Sequence, residues 1–127
     1  MAVPSEQLWT ATSLSCNAGD VFDVSASGTV LHNKDDANSA VDPNGIHDVP
    51  NADFFHRFNV EGLPDANTAS LIASVDPIDD VGQDPQFIGD RGSYHCKRTG
   101  KLFLGINDRG VANNQGHWDA TVQLQSG

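Results

Sequence analysis

The segment His117-Trp118-Asp119-Ala120-Thr121-Val122-Gln123-Leu124 alternates strictly between two kinds of side chain. Trp118, Ala120, Val122 and Leu124 face one way, and His117, Asp119, Thr121 and Gln123 face the other. Successive side chains of a strand point to opposite faces, so this pattern predicts a strand with one face against a core. The same period recurs upstream: in residues 21–26, Phe22, Val24 and Ala26 share a face. Further short apolar runs predict strands at residues 7–14, 29–32, 70–75, 86–88, 93–96 and 101–106.

Helical periodicity is nearly absent, and Gly, Pro, Asn and Asp bound almost every run. Residues 33–64 read as long loops with one short strand around residues 54–58, and residues 76–85 read as a second acidic loop. A loop region that long inside a compact domain is usually functional or mobile. Seven or eight short strands separated by turn signals predict an all-β sandwich or jelly roll. The 127 residues fit one domain, 1–127, able to bury roughly two-thirds of its unfolded surface.

The net charge is −10, and the seven Lys and Arg residues cannot neutralise many phosphates. This charge argues against nucleic acid and disfavours anionic membrane surfaces as partners, and no apolar run is long enough for membrane insertion. Of 17 acidic residues only Glu6 and Glu61 are Glu; the rest are Asp. Asp favours turns, and its short carboxylate suits tight cation-binding loops, although most of these residues read as a solvated acidic surface. The first residues lack the basic and apolar regions of a signal peptide. The expectation is a cytoplasmic protein, or one released by a non-classical route to act outside the cell. Cys16 and Cys96 stand 80 residues apart, so they are not a CxxC pair. Two separate buried thiols are the expected state, and one long-range disulfide is the alternative.

The connection between the last two strong strands carries the chemistry. It runs Asn107-Asp108-Arg109-Gly110-Val111-Ala112-Asn113-Asn114-Gln115-Gly116, longer than a simple hairpin needs. Calcium takes six to eight oxygens from carboxylates, amide carbonyls, backbone carbonyls and water. Asp108 can chelate from one side of the loop, Asn113 and Asn114 from the other, with a backbone carbonyl near Val111 between them. Composition alone favours an ordinary turn.

The residues themselves tip that balance. Gly105-Ile106-Asn107-Asp108 followed by Asn113-Asn114-Gln115-Gly116 resembles the calcium loop of the PA-I-like (LecA-type) galactophilic lectins of bacteria. Asn17-Ala18-Gly19-Asp20-Val21-Phe22-Asp23-Val24-Ser25-Ala26-Ser27-Gly28 is similar to that family's early strand and turn. Leu71-Ile72-Ala73 and Phe87-Ile88-Gly89 match shorter stretches. The chain departs from the family at Ala69-Ser70-Leu71-Ile72, where a Gly is usual at the first position, and in a longer segment between residues 33 and 61.

The resemblance implies a calcium ion held by the side chains of Asp108, Asn113 and Asn114 and by the backbone carbonyls of Val111 (or a neighbour) and His32. It implies galactose bound through two vicinal hydroxyls on the metal, with Asp108 and Asn113 also touching the sugar. The family's second contact, a His followed three residues later by Gln, points to His56 with Asn59, or to His47; the alternatives stay open. His95 and His117 lie on predicted strands and read as structural. The implied partners are galactose-containing glycans, and the implied assembly is a homo-oligomer, a dimer or tetramer. No GxSxG, HExxH, Walker A or dinucleotide motif is present, so a non-enzyme is expected. The alternative is a structural or adhesive module whose calcium only rigidifies a loop.

Overall fold

The computed structural model describes residues 1–47, 49–50, 52–79 and 81–125. Its ten strands are β1 (Ala2–Pro4), β2 (Trp9–Cys16), β3 (Val21–Ser27), β4 (Val30–Leu31), β5 (Ala40–Val41), β6 (Leu71–Ile78), β7 (Val81–Phe87), β8 (Arg91–His95), β9 (Gly100–Ile106) and β10 (Gln115–Leu124). They form two antiparallel sheets. One has the order β5-β4-β10-β3-β8, with β1 also on β10; the other is β2-β9-β6-β7. The all-β sandwich expected from the alternation is the fold observed.

Alternation dictates what lies between the sheets. Trp118 and Ala120 of β10, Phe22 and Val24 of β3, and Leu102, Leu104 and Ile106 of β9 are all buried in one core with Tyr94, Leu71 and Val75. Each fully buried large side chain contributes about 1.5–3 kcal/mol relative to exposure. The alternation outruns the core at the end of β10, where Leu124 is exposed.

Three expectations are corrected. Residues 54–58 are not a strand: Ala52–Phe58 is a 3₁₀ helix. The acidic stretch before Pro85 is not all loop, because β7 begins at Val81 and pairs with β6 across two register shifts. The register shifts set Asp84 and Pro85 against Ser74, and Asp76 and Pro77 against Gly82; Asp84 and Asp76 have φ of +50° and +40°, irregularities that hid the strand from a reading by alternation. Cys16 and Cys96 are not free thiols but a disulfide, with Cα atoms 5.8 Å apart, joining the end of β2 to the residue after β8. It covalently links the two sheets across a separation of 80 residues, worth about 4–5 kcal/mol in chain-entropy terms. Among the described residues no helix is long and apolar enough to cross a membrane.

Sheet pairing decides what meets at the far end of β9. Antiparallel register sets Leu31 of β4 opposite Gln115 of β10, so the next residue out, His32, is level with Asn114. The Lys34 N–H then donates to the Asn113 carbonyl at 2.6 Å. Residues distant in sequence thus reach the same loop.

Candidate functional site

The loop after β9 is held open by its first residue. Asn107 is fully buried; its Oδ1 accepts from the Val60 N–H at 2.8 Å, and its Nδ2 donates to the Asn67 carbonyl at 3.2 Å. Its side chain is thus spent on fixing two neighbouring loops. Asp108 follows, 6% exposed, with Oδ1 accepting from the Gly110 N–H at 2.8 Å in an Asx turn. A single 3₁₀ turn, Val111–Asn113, closes the loop, and the Asn114 N–H donates to the Val111 carbonyl at 3.0 Å.

Asn114 is almost fully buried, and its Nδ2 donates to the Ser5 carbonyl at 2.9 Å. Its Oδ1 is buried with no hydrogen-bond partner among the described residues. An orphaned buried acceptor costs about 1–3 kcal/mol. Among the described residues, no Lys or Arg forms an ion pair with Asp108 either. A buried carboxylate with no cation and a buried amide oxygen with no donor, at the two ends of one short loop, fit a positive ion. The donors available are hard oxygens: the Asp108 carboxylate, the amide oxygens of Asn113 and Asn114, and the backbone carbonyls of His32 and Val111. Oxygen donors of this kind are the ligands that calcium takes.

Beside this loop lies a cleft of about 520 Å³. Asp108, Gly110, Ala112 and Asn113 line one side, with His32 and Asn33 at the end of β4. The rest of the lining is Phe54, Phe55 and Phe58 of the 3₁₀ helix, with Ile46 and Thr68, and so is mostly apolar. Ile46 is positioned by Gly45, whose φ of +79° and close approach exclude a side chain: a Cβ there would lie 2.6 Å from the Thr68 carbonyl. The Ile46 N–H donates to that same carbonyl at 2.8 Å.

His32 is half-buried, its ring edge-on to Phe55 at 5.5 Å. Burial lowers its pKa below the ordinary value, against the opposing pull of Asp108 and Asp36. The aromatic helix is stitched to the loop by the Arg109 N–H, which donates to the Phe58 carbonyl at 2.7 Å, and by the Arg109 guanidinium on the Arg57 carbonyl. Arg57 in turn stacks on Phe54, 4.0 Å from the ring centre.

Of the residues proposed from sequence, the fold brings His32, Asp108 and Asn113 to one cleft, with Val111 and Asn114 in the same loop. The suggested second sugar contacts lie elsewhere. His47 lines an adjoining groove that shares His32, Ile46 and Phe55. His56 and Asn59 line a different groove, on the Arg109 side. Asn59 is buried, its Nδ2 reaching the carbonyls of Leu63, Pro64 and Ala66 and its Oδ1 accepting from Thr68 at 2.6 Å. No donor is left over for a sugar, and its position is structural. His95 and His117 are exposed strand residues outside the cleft. What sequence reasoning missed is the phenylalanine wall. Its signal was present in Phe54-Phe55 and Phe58, apolar residues at helical spacing in an otherwise polar segment.

No protein-family model matches the sequence, and no curated protein matches it. Among solved structures, the chain is similar to one described as "EclA N-terminal domain; PllA-like lectin", with a TM-score of 0.70 and 19% sequence identity. The match covers 98% of this chain and 94% of that one, so the two share a fold from end to end.

Proposed function

We propose that the protein is a calcium-dependent carbohydrate-binding protein, a lectin for terminal galactose or galactosides. The observation that carries this reading is the meeting of Asp108, Asn113 and the His32 strand end in one cleft, beside the buried and unpartnered Oδ1 of Asn114. A lectin domain as structural neighbour supports it at the level of fold.

A sugar hydroxyl is costly to bury unless it finds a partner. Calcium with open coordination positions supplies one for two adjacent hydroxyls at once. Asp108, Asn113 and Asn114, with the carbonyls of His32 and Val111, would hold that ion. Asp108 and Asn113 border the cleft, so they can also bond the hydroxyls and select their geometry. With few atoms engaged, single-site affinity is weak, on the order of micromolar to millimolar, and a homo-oligomer gives avidity. The Cys16–Cys96 disulfide supports action outside the reducing cytosol. The site is read as non-catalytic.

A second reading, calcium that only rigidifies the loop of an adhesive module, has the same donor set in its favour. Thermal unfolding separates the two. In the lectin reading calcium raises the midpoint, and galactose raises it further only when calcium is present. A calcium effect with no added effect from any glycan would leave the structural reading.

A further inference from the structure

The phenylalanines of Ala52–Phe58 lie in the segment where this chain departs from the lectins its metal loop resembles, and calcium chemistry gives them no role. We infer that Phe58 is the apolar platform of the site: the C–H face of a hexose ring lies on it while hydroxyls of the same ring meet the Asp108 loop. The inference rests on the lectin reading and adds to it a residue that selects the ligand.

Position comes first. Gly110 lies between Phe58 and Asp108: a side-chain carbon built there would be 3.9 Å from the Phe58 ring and 3.3 Å from the Asp108 carboxylate. One ring-sized ligand can therefore touch both. Exposure is the second ground. Phe58 and Phe54 are 40% and 51% exposed, apolar surface held out of the core in the lining of a cleft that Asp108 and Asn113 also line. Such surface gains free energy when an apolar face covers it.

Rigidity is the third ground. The Phe58 carbonyl is bonded to the Arg109 N–H, Arg57 stacks on Phe54, and Phe55 abuts His32. A wall fixed in this way loses little conformational entropy on binding. The ligand it fits is amphipathic across its ring. Galactose has that character: its axial 4-hydroxyl leaves the C–H bonds at C3, C4 and C5 gathered on the opposite face.

The test compares wild type, Phe58→Ala and Phe58→Tyr by calorimetric titration, first with calcium and then with methyl β-galactoside at saturating calcium. The ¹H shifts of the sugar C–H protons and the unfolding midpoint are recorded for each. Phe58→Ala should keep its fold and its calcium affinity while weakening sugar binding about tenfold or more. The upfield ring-current shifts seen with wild type should vanish in Phe58→Ala and return in Phe58→Tyr. Unchanged sugar affinity and shifts in Phe58→Ala would overturn the platform. So would loss of calcium binding or folding in both variants, which would make Phe58 structural. Wild type that binds calcium but no member of a broad glycan set would instead overturn the lectin reading itself.

Discussion

The Asn107 side chain accepts a hydrogen bond from the Val60 N–H at 2.8 Å, fully buried, and this bond ties the candidate calcium loop to the segment that follows the aromatic helix. Removing it leaves a buried N–H unpaired and also frees the Asn67 carbonyl. Asn107→Ala should cost about 2–3 kcal/mol, read as a lowered denaturant midpoint with unchanged slope. It should also loosen the Asp108 loop, detected as faster amide exchange at residues 108–114.

Asp108 carries the only carboxylate in the proposed ligand set. Asp108→Asn keeps an oxygen to accept from the Gly110 N–H, now at 2.8 Å, but removes the charge. Calcium affinity tracks ligand charge, so it should fall by at least about tenfold while calcium-free stability changes by less than about 1 kcal/mol. Calorimetric titration with calcium, paired with unfolding in chelator, checks both halves.

Ala69 stands where the resembling lectins have Gly, and its φ is +59°. The left-handed conformation costs an L residue roughly 1–2 kcal/mol. The strain is held in place by the Ala69 N–H, which donates to the Asn107 carbonyl at 2.9 Å. Ala69→Gly should therefore stabilise the protein by about 1 kcal/mol, partly offset by the greater freedom of Gly in the unfolded chain. An equilibrium urea curve would show it as a raised midpoint.

Burial lowers the pKa of His32 in the folded state. The unfolded chain then binds the proton more readily, so the stability associated with a neutral His32 is complete above its ordinary pKa of about 6.5. That stability should be lost as pH falls through the lowered folded value. In chelator, the midpoint of wild type should drop more steeply below about pH 6.5 than that of His32→Gln. The substitution leaves the backbone carbonyl proposed for calcium intact.

Local patterns made the sandwich legible. Trp118 and Ala120, like Phe22 and Val24, alternate with polar neighbours, and no turn interrupts them. Hidden elements depend on partners distant in sequence. β7 is broken by Gly82, Asp84 and Pro85, and only its pairing with β6 makes it a strand. Phe54, Phe55 and Phe58 are strand-favouring residue types, but their spacing is helical, and the segment is a 3₁₀ helix whose last carbonyl accepts from the Arg109 N–H. Cys16 and Cys96 meet only because the two sheets stack, which sequence spacing does not reveal.

At the candidate site, Asp108, Asn113 and Asn114 were proposed together because a single loop carries them. His32 was proposed only by resemblance; the β4–β10 register sets its place beside Asn114. Asn59 shows the limit: a polar residue near a predicted site is buried in a network whose four partners lie from four to nine residues away.

The central claim, sugar bound through calcium, is tested most directly by passing the protein over immobilised galactose with calcium present and then adding a chelator. Retention with calcium, release by chelator, and no retention of Asp108→Asn are the expected results. Passage through the column, together with failure to bind any member of a broad glycan set in calcium, would contradict the claim.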